Sequence, residues 1–232
     1  GYASDLDLVF LHAALPEEEA LVTRLTQKII HMLTTRSQTG ILYAVDTRLR
    51  PSGSAGLLVS HVEAFTNYQL SEAWLWEHQA LIKMRVVFGS TAIQQVLLQL
   101  KKSVLSTPKD PLELKTQVLN MRAKISQLAV REPVKNTPGG LLDLEFLVEF
   151  LVLRTSNPAF ALCTSTSNII HLLSKEILTD KQAKILKKAH RRFHKILHDT
   201  ILLEQNIMPQ QKLLESVQSV CRTIYAIGNP SD

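Results

Sequence analysis

The chain has 232 residues, of which 45% are hydrophobic and 20% are charged, with 8 Gly and 9 Pro. This composition excludes a disordered or collagen-like chain, and the length allows a sizeable core and two subdomains. The net charge of +5 is uneven, because residues 1–92 carry 7 Lys and Arg against 9 Asp and Glu, while residues 93–232 carry 19 against 12. The pI near 9.2 is by itself only a weak indication of nucleic-acid binding.

Two isolated cysteines, Cys163 and Cys221, argue against a disulfide framework and against a zinc site. They favour a reducing compartment, so we expect a cytoplasmic protein. The longest uncharged stretch, residues 155–174, contains Pro158 and several polar side chains, and the sequence therefore predicts no membrane-spanning helix.

The first 92 residues predict mixed α and β structure, because apolar alternation and helical spacing both occur there. The predicted elements are a strand at residues 6–11, a helix at 16–34, a strand at 41–50, helices at 61–70 and 72–79, and a strand at 81–88. Ser60 with Glu63 matches a capping box, and Ser71 can cap the helix that follows.

After Gly89 the spacing predicts helices at residues 91–105, 111–130, 141–154, 168–177, 180–205 and 209–226. We therefore predict an α+β fold, with a mixed domain at residues 1–89 followed by an all-α helical bundle at residues 90–232. Thr179 with Gln182 predicts a capping box at the start of the longest helix of the bundle.

Acidic side chains interrupt the first predicted strand, where Asp5 and Asp7 fall on one face. Two adjacent carboxylates on a half-buried strand repel each other and lose solvation, a cost that bound cations offset. The pattern therefore indicates a divalent-metal site. The alternative is an exposed acidic pair at a strand edge.

The second predicted strand strengthens this interpretation, because Asp46, Arg48 and Arg50 recur at period two. A third carboxylate completes an oxygen ligand set for two Mg²⁺ ions, and guanidinium groups suit the phosphates of a nucleotide. The alternative is a solvated, salt-bridged strand face. Lys83 and Arg85 repeat the spacing on the third predicted strand, where they either add positive charge near a triphosphate or lie at a solvated edge.

Three longer strings, together with Asp5-Leu6-Asp7, resemble a known family. The strings run from Ser37 to Gly53, from Glu72 to Leu81 and from Gly139 to Phe146. The carboxylate pattern resembles the DNA polymerase β nucleotidyltransferase superfamily, and the strings narrow the resemblance to glutamine synthetase adenylyltransferase. The Pro-Ser-Gly after Arg50 and the string from Glu72 resemble the C-terminal, adenylylating half of that enzyme.

The resemblance implies a polymerase β-like subdomain with a mixed sheet, in which Asp5 and Asp7 bind two Mg²⁺ ions and Asp46 binds the catalytic one. Ser4 either orients these carboxylates at the nucleotide site or is a plain turn residue. In the family, a Gly-Gly turn on a preceding strand helps to cradle the phosphates. We expect a catalytic subdomain that lacks this strand and turn, since they would precede Gly1.

Three further acidic residues are candidates for a supporting role near the site. Glu77 shares a helical stripe with Trp74, which favours a packed helix face over nucleotide contact. Asp143 and Glu145 follow a Gly-Gly pair at a helix opening, where the helix dipole favours acidic residues. The resemblance makes both candidates for contact with the active site, although their spacing puts them on different helical faces.

The predicted helix at residues 180–205 has a basic stripe and a histidine series. The basic stripe consists of Lys181, Lys184, Lys188, Arg191 and Lys195. It is either a solvated face or a docking surface for an acidic protein, and no aromatic residues interleave it for nucleic acid. His190, His194 and His198 have the spacing of metal ligands, but the helix lacks the Glu of an H-E-x-x-H motif, which argues against a metal site.

The resemblance implies a bacterial, Mg²⁺-dependent enzyme that transfers AMP from ATP to a tyrosine of glutamine synthetase and so regulates nitrogen assimilation. The implied partners are glutamine synthetase and the PII signal protein, with glutamine as effector, and we expect neither nucleic acid nor membrane as a partner. The alternatives are the phosphorolytic, deadenylylating half of the same enzyme and a non-catalytic fragment that docks glutamine synthetase or PII.

Overall fold

The computed structural model describes residues 4–38, 40–41, 43–128, 133–204 and 207–226. Packing divides the chain into two compact units. The N-terminal unit comprises the described residues up to Glu77 together with Val86–Leu100, and the helical unit comprises His78–Arg85 and the described residues from Lys101 onward. The predicted domain boundary after residue 89 stays a prediction.

All strands of the described chain lie in the N-terminal unit. They are β1 (Leu6–Asp7), β2 (Phe10–His12), β3 (Arg36–Ser37), β4 (Gly40–Ile41), β5 (Val45–Asp46) and β6 (Val59–His61). β1 pairs parallel with β5, β2 pairs parallel with β6, and β3 pairs antiparallel with β4. The described residues therefore have α+β structure, with three separate strand pairs in place of one mixed sheet.

Helices of the N-terminal unit follow the predicted order with shifted starts. A 3₁₀ turn at Pro16–Glu18 leads into α1 (Glu19–Thr34), close to the prediction. α2 (Val62–Ser71) is capped by His61, whose ring Nδ1 accepts a hydrogen bond from the Glu63 backbone N–H at 3.3 Å. The predicted capping box at Ser60 is wrong because Ser60 lies in β6, where its backbone is extended.

The third predicted strand, at residues 81–88, is absent from the structure. Instead α3 (Leu75–Ile82) begins later than expected and runs into this segment, and no strand follows it as far as residue 90. Short apolar runs do not distinguish a strand from a buried helix by pattern alone. Leu81 and Ile82 are buried as the end of the helix, whereas Val87 and Phe88 are exposed, so the segment has no buried strand face.

The helical unit is built around one buried helix. Its helices are α5 (Pro111–Leu128), α6 (Pro133–Asn136), α7 (Leu141–Thr155), α8 (Thr166–Leu173), α9 (Asp180–Leu202) and α10 (Gln211–Ala226), and it also includes residues 101–106 of α4 (Thr91–Ser106). α7 packs against α5, α6, α8, α9 and α10, and Leu144, Leu147 and Leu151 on it are fully buried. The predicted capping box of Thr179 and Gln182 is confirmed at the start of α9. Among the described residues, no helix combines the length and apolar character needed to cross a membrane.

Lys101, near the end of α4, is a buried lysine that is hydrogen-bonded to two other segments of the helical unit. Lys101 is 2% exposed, and its ammonium donates hydrogen bonds to the carbonyl oxygens of Met84 at 3.3 Å and of Cys163 at 3.1 Å. Burial lowers the pKa of Lys101 to about 8. The folded chain therefore releases this proton at a lower pH than the unfolded chain does.

We expect this lysine to give the unfolding free energy a pH dependence. Between pH 8 and pH 10 the unfolded chain keeps a proton that the folded chain has released, so the lysine's contribution to stability rises with pH. Lys101→Met should remove that rise in urea unfolding measured at both pH values. Lys102→Met, at the next and less buried position, is the matched control, and an unchanged slope in Lys101→Met would contradict the prediction.

Candidate active site

The first and second predicted strands meet at two carboxylates. β1 and β5 are parallel, and their register places Asp7 directly beside Asp46. Two backbone hydrogen bonds fix this register, from Leu6 N–H to the Ala44 carbonyl and from Leu8 N–H to the Asp46 carbonyl, both at 2.8 Å. Register partners in a parallel pair project to the same face of the sheet. The two strands therefore present two carboxylates side by side.

The pKa values of these two carboxyl groups differ from those of isolated surface carboxyl groups. Burial raises the pKa of Asp7, and the negative charges of Asp46 and Asp5 raise it further. Ser4 and Asp5 lie just before β1 in exposed positions. The other two predicted acidic residues, Asp5 and Asp46, are close enough to raise the pKa of Asp7.

Arg48 supplies the nearest positive charge to the carboxylate pair. Its Nε donates to Asp46 Oδ2 at 2.8 Å, its backbone N–H donates to Asp46 Oδ1 at 2.8 Å, and its terminal nitrogen also contacts Oδ2. These bonds lower the pKa of Asp46. The predicted one-face arrangement of Asp46, Arg48 and Arg50 is wrong, because β5 ends at Asp46 and the chain turns at residues 48–52.

Arg50 is bonded to the turn that follows β5. Its guanidinium donates to the carbonyl and the hydroxyl of Thr47, at 2.8 and 2.7 Å, and its Nε donates to the Gly56 carbonyl at 3.3 Å. A Cβ at Gly56 would lie 1.9 Å from the Pro51 carbonyl oxygen, so this turn requires glycine there. Arg50 thereby stabilises the loop next to the carboxylate pair.

The remaining predicted phosphate-binding residues, Lys83 and Arg85, lie in the helical unit. Arg85 is exposed. The Lys83 ammonium pairs with Glu145 Oε1 at 3.2 Å and with Glu149 Oε1 at 3.0 Å, and Gln79 donates to Glu149 Oε2 at 3.1 Å. Burial opposes the charge of Lys83, but the two carboxylates raise its pKa, whereas burial raises the pKa of Glu149.

Glu77 and Asp143 each have clear local partners. The buried Glu77 carboxylate accepts from the Tyr68 hydroxyl at 3.0 Å and from the Trp74 backbone N–H at 2.9 Å. Glu77 is buried as the predicted packed helix face requires, but Trp74 is 68% exposed, so its side chain is not part of that face. Asp143 accepts from the Arg122 Nε and from the Gly139 backbone N–H, each at 2.6 Å, within the helical unit.

Sequence reasoning missed a three-residue cluster in the helical unit. One carboxylate oxygen of Glu145 on α7 and one ring nitrogen each of His190 and His194 on α9 lie within 4.8 Å of one another. The i, i+4 spacing of the histidines was visible in the sequence, but the carboxylate comes from another helix.

All five residues of the basic stripe on α9 are exposed.

Comparison with protein families finds a match for the first part of the chain. Residues 1–100 match the family model of glutamate-ammonia ligase adenylyltransferase. The resemblance indicated by the sequence is thereby confirmed there. The matched residues include the carboxylate pair, Arg48 and Arg50, and they end before the string at residues 139–146. Glutamate-ammonia ligase is glutamine synthetase, so the family implies an adenylyltransferase acting on that enzyme.

Proposed function

We propose that this chain carries a nucleotidyltransferase site which transfers the adenylyl group of ATP to a tyrosine hydroxyl of glutamine synthetase. The observation that carries the proposal is the pairing of Asp7 with Asp46 on adjacent parallel strands, inside the residues that match the family. Asp5 is the third carboxylate of the proposed site. We further propose that the chain is the adenylylating half of the enzyme, which the Pro-Ser-Gly turn after Arg50 favours.

The carboxylate cluster fits divalent magnesium. Mg²⁺ prefers oxygen ligands. Burial, and then the negative charges of Asp46 and Asp5, raise the pKa of Asp7, and a bound cation offsets this cost of keeping the carboxylate charged. Asp5 and Asp7 would hold both ions, and Asp46 would hold the catalytic one. When bound, two Mg²⁺ ions neutralise the triphosphate and the charge that develops on departing pyrophosphate.

The chain's own residues have separate tasks in this proposal. Arg48 is hydrogen-bonded to Asp46, and its guanidinium can turn from that carboxylate to a phosphate oxygen. We expect Asp46 to accept the tyrosine proton, directly or through water, and this requires Arg48 to leave its oxygens because the bond lowers the pKa of Asp46. Arg50 holds the adjoining turn in place.

Two reactions test the proposal against its alternatives: transfer of label from ATP to glutamine synthetase, and release of ADP from adenylylated glutamine synthetase by phosphate. With Mg²⁺ and unmodified glutamine synthetase, we expect label to be transferred from α-labelled ATP and not from γ-labelled ATP. The deadenylylating alternative predicts instead that phosphate releases ADP from adenylylated glutamine synthetase. A non-catalytic docking fragment would bind glutamine synthetase or PII in a pull-down and carry out neither reaction, which would overturn the proposal.

Regulation is a further part of the proposal. Glutamine and the PII signal protein are the effectors that the family resemblance implies, and the exposed basic stripe on α9 offers a surface for an acidic partner. We place the reaction in a bacterial cytoplasm, where it would lower nitrogen assimilation.

A further inference from the structure

The helical unit brings together three side chains that a transition metal could bind. Within the part of the chain that the structure describes, Glu145, His190 and His194 are the one group of three His, Cys, Asp or Glu residues whose ligand atoms all lie within 4.8 Å of one another. Helical spacing of i, i+4 puts both histidines on one face of α9, and their ring centroids are 4.5 Å apart. The packing of α7 against α9 adds the carboxylate.

The donor set selects the class of ion. Two imidazole nitrogens and one carboxylate oxygen suit Zn²⁺ and its neighbours in the first transition row, whereas Mg²⁺ prefers oxygen donors alone. Three protein ligands leave a fourth position for water, as in open zinc sites. All three residues are partly exposed, and a groove along α9 lined by His190, His194 and His198 gives an ion access from solvent.

Burial disfavours the charged form of both rings. Burial, with the neighbouring His194, lowers the pKa of His190 to about 4, and burial also lowers the pKa of His194. The neutral imidazole is the form that binds a metal ion, so both shifts are in the direction that favours binding.

Lys83 would compete with a bound metal ion for the Glu145 carboxylate. Its ammonium lies 3.2 Å from Glu145 Oε1, so this carboxylate already has a cationic neighbour. Lys83 also pairs with Glu149 at 3.0 Å and keeps that partner if Glu145 turns to an ion. The carboxylate of Glu145 can therefore be shared without leaving the lysine unpaired.

We propose that Glu145, His190 and His194 form a binding site for a zinc-class divalent ion in the helical unit. The site is separate from the carboxylates to which we assign adenylyl transfer, and it does not depend on that assignment. It places an ion between α7 and α9, the helix that also bears the basic stripe.

The test is titration of the full chain with Zn²⁺ by calorimetry in buffer without chelator, and with Co²⁺ by visible absorption. We expect one bound ion and visible Co²⁺ bands. His190→Gln, His194→Gln and Glu145→Gln should each weaken binding by about tenfold or more, because each removes one of the three ligand atoms. His198→Gln, one turn further along α9 and outside this group of three, is the matched control and should weaken binding less than any of the three.

Circular dichroism melting of each variant without metal shows whether it is folded. If Glu145→Gln is folded and binds Zn²⁺ as tightly as the unaltered chain, the carboxylate is not a ligand and the proposed site is overturned. Equal loss in His198→Gln, or no binding by the unaltered chain, would also overturn it. Mg²⁺ should not compete with Zn²⁺, because the two ions prefer different donors.

Discussion

Replacing Asp7 and Asp46 together by asparagine is expected to abolish transfer of label from α-labelled ATP to glutamine synthetase. The two carboxylates lie side by side on β1 and β5, where we propose that the ions bind. Loss of a single preorganised charge-stabilising group costs about a hundredfold to a thousandfold in rate, so we expect at least about a thousandfold for the pair.

The fold should survive this double substitution. Burial and the neighbouring carboxylates raise the pKa of Asp7, which means that its charge is unfavourable in the folded chain, and asparagine removes this repulsion. Glu63→Gln, an exposed carboxylate of the same unit, is the matched control and should retain transfer. Transfer that persists in a folded Asp7→Asn, Asp46→Asn chain would show that the reaction takes place elsewhere.

Lys83→Met is expected to lower the free energy of unfolding by more than a typical surface substitution does. Lys83 is the ammonium partner of Glu149, whose side chain is buried, and of Glu145. Removing one member of a buried pair leaves an uncompensated charge, which typically costs 3–5 kcal/mol. Because the Lys83 side chain is 33% exposed, we expect about 2 to 3 kcal/mol in urea unfolding at pH 7.5. Lys188→Met on the exposed face of α9 should change stability by less than about 0.5 kcal/mol.

The pH dependence and a second substitution identify the cause of that loss. Burial raises the pKa of Glu149 and Lys83 lowers it, so removing Lys83 raises it further. When the pKa of a carboxyl group is raised by folding, its charged form destabilises the folded chain, and this effect is present at high pH. The loss of stability in Lys83→Met should therefore become smaller as the pH falls toward 5. Adding Glu149→Gln should restore part of the stability at pH 7.5, because no buried charge is then left unpaired. A cost independent of pH and of Glu149→Gln would indicate lost packing instead.

The sequence predicted most of the long helices well. It also predicted that Asp46 lies beside Asp7. Long amphipathic segments fix their own periodicity, so the helix at Glu19–Thr34 and the capped helix at Asp180–Leu202 lie close to their predicted ranges. Asp7 and Asp46 were assigned to one site because acidic residues at period-two spacing interrupt or follow both strands and because the family resemblance calls for three carboxylates. Their register, by contrast, depends on pairing between distant segments.

Where prediction failed, tertiary contacts decided the outcome. The apolar run at residues 81–88 fitted a strand, but Leu81 and Ile82 are buried as the end of a helix, and Lys83 beside them pairs with carboxylates on α7. The histidine spacing on α9 was visible, but its carboxylate partner Glu145 lies 45 residues earlier, on a helix that only packing brings close. Periodicity within one segment carries no information about such partners.

The most direct test of the central claim is a crystal structure of the chain with Mn²⁺ and a non-hydrolysable ATP analogue, with the metal located by anomalous scattering. We predict anomalous density beside Asp7 and Asp46, with the α-phosphate of the analogue next to it. Metal and nucleotide bound only elsewhere, with these two carboxylates contacting neither, would contradict the assignment of the active site.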